Sequence, residues 1–157
     1  MSHDIRTETE IAAPADVVWA VLTAFDTYPE WNGYTRIEGE AREGARLTVA
    51  PGPEAGRMPT FRPTVLRAGP TGDGDYELAW LGHLWTPGLF DGEHVFRVEA
   101  VDDERSRLVQ AETFDGLLAG LLLRFVGDDT ERNFEAVDEA LRERAESLAE
   151  QTPTTTA

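Results

Sequence analysis

A histidine and a glutamate are the residues of this sequence whose types and positions best suit acid–base chemistry. In the run LFDGEHVFRVEA, residues 89–100, alternation places His94 on the same side of a predicted strand as Phe96, Val98 and Ala100. Because the apolar side of a strand faces the core, the imidazole of His94 is predicted to point inward. A buried imidazole that lacks a hydrogen-bond partner costs about 1–3 kcal/mol, so we expect it to have one.

Glu112 is the partner that the sequence predicts. A turn over DDERS joins the strand of His94 to the next strand, and a register that pairs Phe96 with Glu112 puts His94 opposite Phe114. The β-carbons of His94 and Glu112 then lie about 7 Å apart on a diagonal, a gap that long side chains can close. Such a pair could be an acid–base or ligand-orienting group, or it could only satisfy two buried polar side chains.

Large aromatic side chains recur along the segments that would surround this pair. As a group they could line a pocket for a flat or greasy ligand, and each alone could equally be ordinary core. The candidate ligand-binding residues are Trp31, Tyr34, Phe61, Trp80, His94, Phe96, Glu112, Phe114 and Phe134. Two of them, His94 and Glu112, are also the candidate catalytic residues.

Other kinds of site have less support in the sequence. The chain has no cysteine, which excludes disulfides, cysteine-ligated zinc and thiol catalysis. A metal site built from His83, His94 and a carboxylate lacks ligand spacing, and GDGD at 72–75 lacks the rest of a calcium loop. A glycine-rich phosphate motif is also missing. We therefore expect neither a metal nor a cofactor.

The charge of the chain is strongly negative. Thirty acidic residues face fourteen basic ones, all of them arginine, and the net charge is −16. This charge repels phosphate backbones and anionic membranes, so we expect no nucleic-acid partner. It indicates either general solubility or adaptation to high salt, and the lack of lysine beside the excess of acid favours the second. The polar first ten residues and the short apolar runs predict a cytoplasmic protein without signal peptide or membrane span.

Short elements with different periodicities are predicted around the candidate residues. Residues 3–11 alternate like a strand, and APADVVWAVLTAF has the helical spacing of apolar residues, with a further short helical turn after it. From Tyr34 to about Gly116, alternating runs divided by turn residues predict about six antiparallel strands. Pro63 inside one run indicates an edge or a bulge.

The C-terminal part of the chain is predicted to be helical. LLAGLLLRFV and the apolar stripe from Phe134 to Leu148 together would form a helix on the order of 50 Å long. We therefore expect a kink or break near Gly127, with a capped new start at Asp128. Residues 1–150 are expected to form a single domain, and residues 151–157 a disordered tail.

Several segments resemble one known superfamily. They are similar to the Bet v 1/START-like (SRPBCC) proteins, which include polyketide cyclase/dehydrase and lipid-transport proteins, over about residues 5–149. The segments that carry the resemblance are IAAPADVVWAVLTAFDTYPEWN, LAWLGHLWTPGLFDGEHVFRVEA, LVQAETFDGLLAGLL and NFEAVDEALRERAE. The resemblance implies an α+β helix-grip fold, in which a curved antiparallel sheet of about seven strands surrounds a long C-terminal helix. It also implies two short helices after the first strand, and a cavity mouth near Trp31, Asn32 and Tyr34. This segment could equally be only an Asn-Gly turn that is held by the tryptophan.

The resemblance leaves three functional roles open. The first is binding of a small apolar or amphiphilic ligand in a cavity between the sheet and the C-terminal helix. The second is a cyclase or dehydratase-like lyase that acts on such a ligand in the same cavity, and the third is a helper that binds a partner protein. Because His94 and Glu112 are the titratable residues expected to converge on the cavity, we predict a binding protein and leave enzymatic activity open.

Overall fold

The chain forms a curved antiparallel sheet and a long C-terminal helix, the arrangement of a helix-grip α+β fold. The computed structural model describes residues 3–56 and 58–151, apart from the side chain of Val126. The strands are β1 (His3–Ile11), β2 (Thr35–Glu38), β3 (Thr48–Pro51), β4 (Thr64–Gly72), β5 (Asp75–Leu84), β6 (Phe90–Ala100) and β7 (Ser106–Asp115). The helices are α1 (Ala15–Thr23), a 3-10 helix (Phe25–Glu30) and α2 (Ala119–Gln151). Of the predicted tail, Gln151 ends α2 and the rest lies outside the described residues.

The strands pair in two groups. Five of them form one sheet in the order β1-β7-β6-β5-β4, and β2 pairs with β3 as a separate hairpin. Isolated bridges join the hairpin region to the segment before β4, and one of them pairs Val49 with Phe61. Pro63, which has no N–H group to donate, accepts a hydrogen bond from the N–H of Leu47 through its carbonyl oxygen at 2.9 Å. The predicted irregularity at Pro63 is therefore the junction between the two groups of strands.

The first helices form where the apolar spacing predicts them. Helix α1 begins after Pro14 and buries Ala15, Val18, Val21 and Leu22 on one face. The 3-10 helix follows almost at once and buries Phe25 and Tyr28. These two short helices bring the chain from β1 to the turn that precedes β2.

Helix α2 continues through Gly127, so the helix does not break there as one form of the prediction had it. It runs for 33 residues without interruption, and Asp128 and Glu131 lie inside it rather than at a capped start. Glycine in a helix interior lowers stability by about 1 kcal/mol relative to alanine, which does not by itself end a helix. The helix has no need to break, because its first turns extend beyond the core along the cavity, where Leu122 is one of the lining residues.

The start of α2 is held by the loop that precedes β6. The backbone N–H groups of Leu117 and Leu118 donate to the carbonyl oxygens of Gly88 and Leu89, at 3.0 and 2.8 Å. Gly116 has a φ of +110°, and a β-carbon there would stand 2.5 Å from the carbonyl oxygen of Leu89. Only glycine fits this close approach, so the chain turns from β7 into α2 at a defined residue.

The core joins the concave face of the sheet to both helices. Its fully buried side chains include Leu22 of α1, Leu78 and Leu108 of the sheet, and Leu141 of α2. Among the described residues, no helix is long and apolar enough to cross a membrane.

Candidate ligand-binding cavity

A cavity of about 460 Å³ opens between the hairpin β2–β3, the inner face of the sheet and α2. Its volume lies within the range of about 300–1,000 Å³ that is typical of small-molecule sites. Its lining is mainly apolar and aromatic. The structure places most of the candidate ligand-binding residues on the lining, namely Tyr34, Phe61, Trp80, His94, Phe96, Glu112, Phe114 and Phe134.

Trp31 differs from the other candidates, because it is missing from the described residues that line the cavity. Its ring packs edge-on against the ring of Tyr28, with centroids 4.8 Å apart. The 3-10 helix ends next to it, and the turn that follows brings Asn32 to the lining instead. Trp31 therefore packs against a lining residue, Tyr28, rather than on the cavity itself.

His94 and Glu112 lie directly opposite each other on β6 and β7, so the predicted register is wrong by two residues. Phe96 pairs with Gln110 rather than with Glu112. The turn between the strands occupies residues 101–105, one residue earlier than DDERS, and this moves every pairing by two positions. Because the side-chain period of a strand is two, the error leaves His94 and Glu112 on the predicted inner face.

Both ring nitrogens of His94 are engaged. Nδ1 lies 3.1 Å from Oε2 of Glu112, and Nε2 lies 3.0 Å from Oε1 of Gln110. The rings packed on the imidazole belong to Phe96, Phe134 and Trp80, with centroids 4.2, 4.8 and 5.1 Å away. His94 is only 6% exposed and Glu112 is 8% exposed, so the two polar side chains are buried together at the wall of the cavity.

Gln110 connects His94 to α2. Its Nε2 donates to the backbone oxygen of Phe134 at 3.2 Å and to Oδ1 of Asp138. Burial raises the pKa of the Asp138 carboxyl above its ordinary value, although the hydrogen bond from Gln110 and the charge of His94 act in the opposite direction. Glu112, His94, Gln110 and Asp138 thus form a continuous chain of buried polar side chains, which we call the polar chain.

Gln110 and Asp138 are not among the predicted site residues, although the sequence carries a signal for each. Gln110 shares the parity of Glu112 and Phe114 along β7, which places it on the inner face. Asp138 follows Phe134 by four residues and precedes Leu141 by three, so it lies within the buried stripe of α2. A polar side chain in a buried stripe needs partners, and these two residues are partners of each other.

Some of the other polar groups on the cavity lining have hydrogen-bond partners, and some do not. Asn32 accepts a hydrogen bond from the backbone N–H of Tyr34 at 2.8 Å, which holds the turn before β2. The hydroxyl of Tyr28 donates to the carbonyl oxygen of Leu22 at 2.5 Å, and burial raises its pKa. Among the described residues, Nδ2 of Asn32 and the indole N–H of Trp80 have no partner. Buried donors without a partner are rare, so both call for an acceptor that the described residues do not supply.

His83 belongs to a separate, exposed pair at the edge of the lining. Its Nδ1 lies 2.7 Å from Oδ1 of Asp91, whose carboxylate also accepts the backbone N–H of Gly88 at 3.1 Å. The hydrogen bond from His83 lowers the pKa of the Asp91 carboxyl. His83 and His94 therefore have different carboxylate partners, and no three metal-ligating side chains converge within residues 3–56 and 58–151.

The comparisons with known proteins show a family and a fold. The model of the family described as polyketide cyclase / dehydrase and lipid transport matches residues 2–151. No curated protein sequence is a match. Similar solved structures include a hypothetical protein from Helicobacter pylori, with 16% identity, a TM-score of 0.75, and coverage of 91% of this chain and 88% of that one.

Two enzymes are among the similar structures. The Zhui aromatase/cyclase from Streptomyces sp. R1128 has 23% identity and a TM-score of 0.70, over 93% of this chain and 94% of that one. Norcoclaurine synthase from Thalictrum flavum, as a point mutant bound to a transition-state analogue, has 15% identity and a TM-score of 0.69, over 97% and 98%. At such identities the likeness shows a shared fold, and it assigns no reaction.

Proposed function

This chain belongs to the polyketide cyclase/dehydrase and lipid transport family, and on that premise we propose that its cavity binds a small apolar or amphiphilic molecule. The observation that carries the proposal is the cavity of about 460 Å³ itself, which remains open although many aromatic side chains surround it. Trp80 contacts both His94 and Phe96, with ring centroids 5.1 and 5.3 Å away, yet these rings do not fill the space. A mainly apolar cavity with one buried polar chain suits a ligand that is greasy over most of its surface.

Catalysis is the alternative role, and the pair of His94 and Glu112 is the observation that favours it. A carboxylate whose second oxygen faces a mainly apolar cavity could remove a proton from a bound molecule, with the imidazole as its neighbour. This would be the chemistry of a cyclase or dehydratase-like enzyme acting on the same ligand. Binding is the preferred proposal because it needs only the cavity.

Binding is tested with Nile red, a neutral apolar dye whose emission rises in an apolar site. We expect the protein to bind the dye, and Val137→Trp to weaken binding at least about tenfold, because Val137 lines the cavity. Val101→Trp makes the same change in an exposed turn, where the residue is 45% exposed, and should leave binding unchanged. Absence of binding, or equal binding by a folded Val137→Trp variant, would contradict the proposal.

Glu112→Gln separates the two roles. A glutamine amide keeps an oxygen for hydrogen bonding but cannot take up a proton, so the variant should retain Nile red and lose any proton-transfer activity. The activity is measured as deuterium uptake at the methyl group of 2-acetylnaphthalene. Uptake that the protein accelerates and the variant does not would establish the enzymatic role. If deuterium uptake with either protein is no faster than in buffer alone, the pair of His94 and Glu112 does not transfer a proton from this ketone.

A further inference from the structure

We propose that the polar chain presents a hydrogen-bond acceptor, Oε1 of Glu112, to the cavity, so the ligand that fits is an apolar molecule with a hydroxyl donor, such as an alcohol or a phenol. The inference rests on the proposed function, because it names the chemical class of molecule that this same cavity takes. It follows from the order in which donors and acceptors alternate along the polar chain.

The backbone oxygen of Phe134 sets the direction of the chain. A carbonyl oxygen can only accept a hydrogen bond, so the side-chain atom of Gln110 that lies 3.2 Å from it must be the amide nitrogen. The same nitrogen donates to Oδ1 of Asp138. Both hydrogens of the amide group are then used, and the amide oxygen of Gln110 faces His94.

The orientation of Gln110 fixes the proton on one nitrogen of His94. The amide oxygen can only accept, so Nε2 of His94, 3.0 Å away, must carry a hydrogen and donate it. This hydrogen is not available to a ligand. The protonation of the other nitrogen, Nδ1, then depends on Glu112.

Nδ1 of His94 and Oε2 of Glu112 lie 3.1 Å apart, a hydrogen-bond distance that requires a hydrogen between the two atoms. Either a cationic imidazole donates to a carboxylate, or a carboxylic acid donates to a neutral imidazole. Without that proton, a nitrogen lone pair would face a carboxylate oxygen inside a buried site, which is unfavourable. In both arrangements the hydrogen lies between His94 and Glu112, and Oε1 of Glu112 carries none.

Oε1 is also the end of the polar chain that is open to a ligand. It lies over Gly92, where a β-carbon would be only 2.8 Å from it, and Gly92 and Glu112 both line the cavity. Among the described residues, no hydrogen bond to Oε1 is formed. An acceptor that is left open in an apolar cavity favours a ligand that donates, and it disfavours a ligand that places its own acceptor there.

The test uses three naphthalenes that differ in one substituent: 2-naphthol can donate, 2-naphthaldehyde can only accept, and 2-methylnaphthalene can do neither. Calorimetry at neutral pH gives the dissociation constants for the protein and its variants. Both 2-naphthol and the aldehyde can accept a hydrogen bond from the unpaired donors of Asn32 and Trp80, and of these two ligands only 2-naphthol can also donate to Oε1. We therefore expect 2-naphthol to bind at least about tenfold more tightly than the aldehyde, as one hydrogen bond to a charged or strongly polar group allows.

Three variants test whether the preference for 2-naphthol over 2-naphthaldehyde comes from Glu112. Glu112→Met removes the acceptor, so the preference for 2-naphthol over the aldehyde should fall at least about tenfold. Glu112→Gln should keep most of it, because its nitrogen would donate to Nδ1 of His94 and leave its oxygen in the cavity. Gly92→Ala retains Glu112 and needs no unusual backbone angle, but its methyl group should displace Oε1 and reduce the preference.

The outcomes separate this inference from the proposed function. If none of the three compounds binds, both fail. If all three bind with equal affinity, or the aldehyde binds best, the inference is wrong and the proposed function stands. If 2-naphthol is preferred equally by the protein and by a folded Glu112→Met variant, another residue supplies the acceptor and the inference is also wrong.

Discussion

The polar side chains of this site are far apart in the sequence and hold one another in place, as Asp138 shows. It belongs to α2, yet its hydrogen-bond partner Gln110 belongs to β7, and Gln110 in turn holds His94 of β6. Removal of any one member would leave a buried polar group without a partner, which costs about 1–3 kcal/mol. The polar chain therefore ties α2 to the sheet beside the cavity.

Asp138→Asn should stabilise the protein at neutral pH, and the gain should shrink as the pH is lowered. Burial raises the pKa of Asp138 in the folded state, so the folded protein binds more protons than the unfolded chain above the ordinary aspartate pKa of about 3.9. Stability then falls as the pH rises through this window, and an asparagine, which stays neutral and can still accept from Gln110, avoids the loss. Urea unfolding of both proteins between acidic and neutral pH measures the difference.

Glu77→Gln is the matched control, because its pH dependence has the opposite sign. Burial of Glu77 acts to raise its pKa, but the hydrogen bonds from Arg67 and Arg97 outweigh this and lower it. The stability that Glu77 contributes is therefore present above the ordinary glutamate pKa and lost as the pH falls through the folded value. If both variants changed stability in the same direction with pH, the account of Asp138 would be wrong.

The inner face of the sheet could be predicted residue by residue, whereas the contacts between elements could not. Alternation along β6 places His94, Phe96 and Val98 inward, and the structure agrees. The partners of His94 depended on the position of a turn, and the contacts of Asp138 depended on how α2 lies against β7. Neither quantity is encoded in local periodicity, since each arises when distant segments pack.

Helix α2 shows the same limit at the level of an element. Its length and the glycine at position 127 predicted a kink or break, because glycine has a low helix propensity. The helix instead starts before Gly127, where its first residues contact the loop that precedes β6. Its buried face continues after Gly127 with Thr130 and Phe134. Tertiary contacts therefore override the local signal, as is common for single glycines.

Gly127→Ala should stabilise the protein by about 0.5–1 kcal/mol, because alanine loses less backbone entropy on entering a helix. A β-carbon at this position would meet only that of Leu123, at 3.8 Å, which is ordinary contact. Gly74→Ala is the control: the φ of +83° at this turn is unfavourable for alanine, so stability should fall. Thermal unfolding followed by circular dichroism gives both values. Destabilisation by Gly127→Ala would indicate that α2 does break at this glycine.

The negative charge is a property of the protein as a whole. Arginines of the described surface pair with nearby carboxylates, as Arg105 does with Asp102 at 2.9 Å and Arg142 with Glu139 at 2.7 Å. Exposed pairs of this kind contribute little each, and the net charge of −16 leaves many carboxylates without a cation. Self-repulsion should therefore oppose folding wherever salt does not screen it.

We expect the stability of the fold to rise with salt and its structure to be lost below a molar range of potassium chloride. The screening length falls from about 10 Å at 0.1 M to about 3 Å at 1 M, so repulsion between neighbouring carboxylates weakens over this interval. Replacement of the exposed Glu131, Glu135 and Glu143 by glutamine should reduce the dependence on salt. A sharp thermal transition that is unchanged at very low salt would refute adaptation to high salt.

The central claim is that the cavity takes an apolar molecule and holds its hydroxyl group at Glu112. A crystal structure of the protein grown with 2-naphthol measures this most directly. We expect one molecule between Trp80, Phe96 and Phe134, with its oxygen within about 3 Å of Oε1 of Glu112. A structure in which these aromatic rings close over the space and exclude the molecule, or in which naphthol binds only on the outer surface, would contradict the claim.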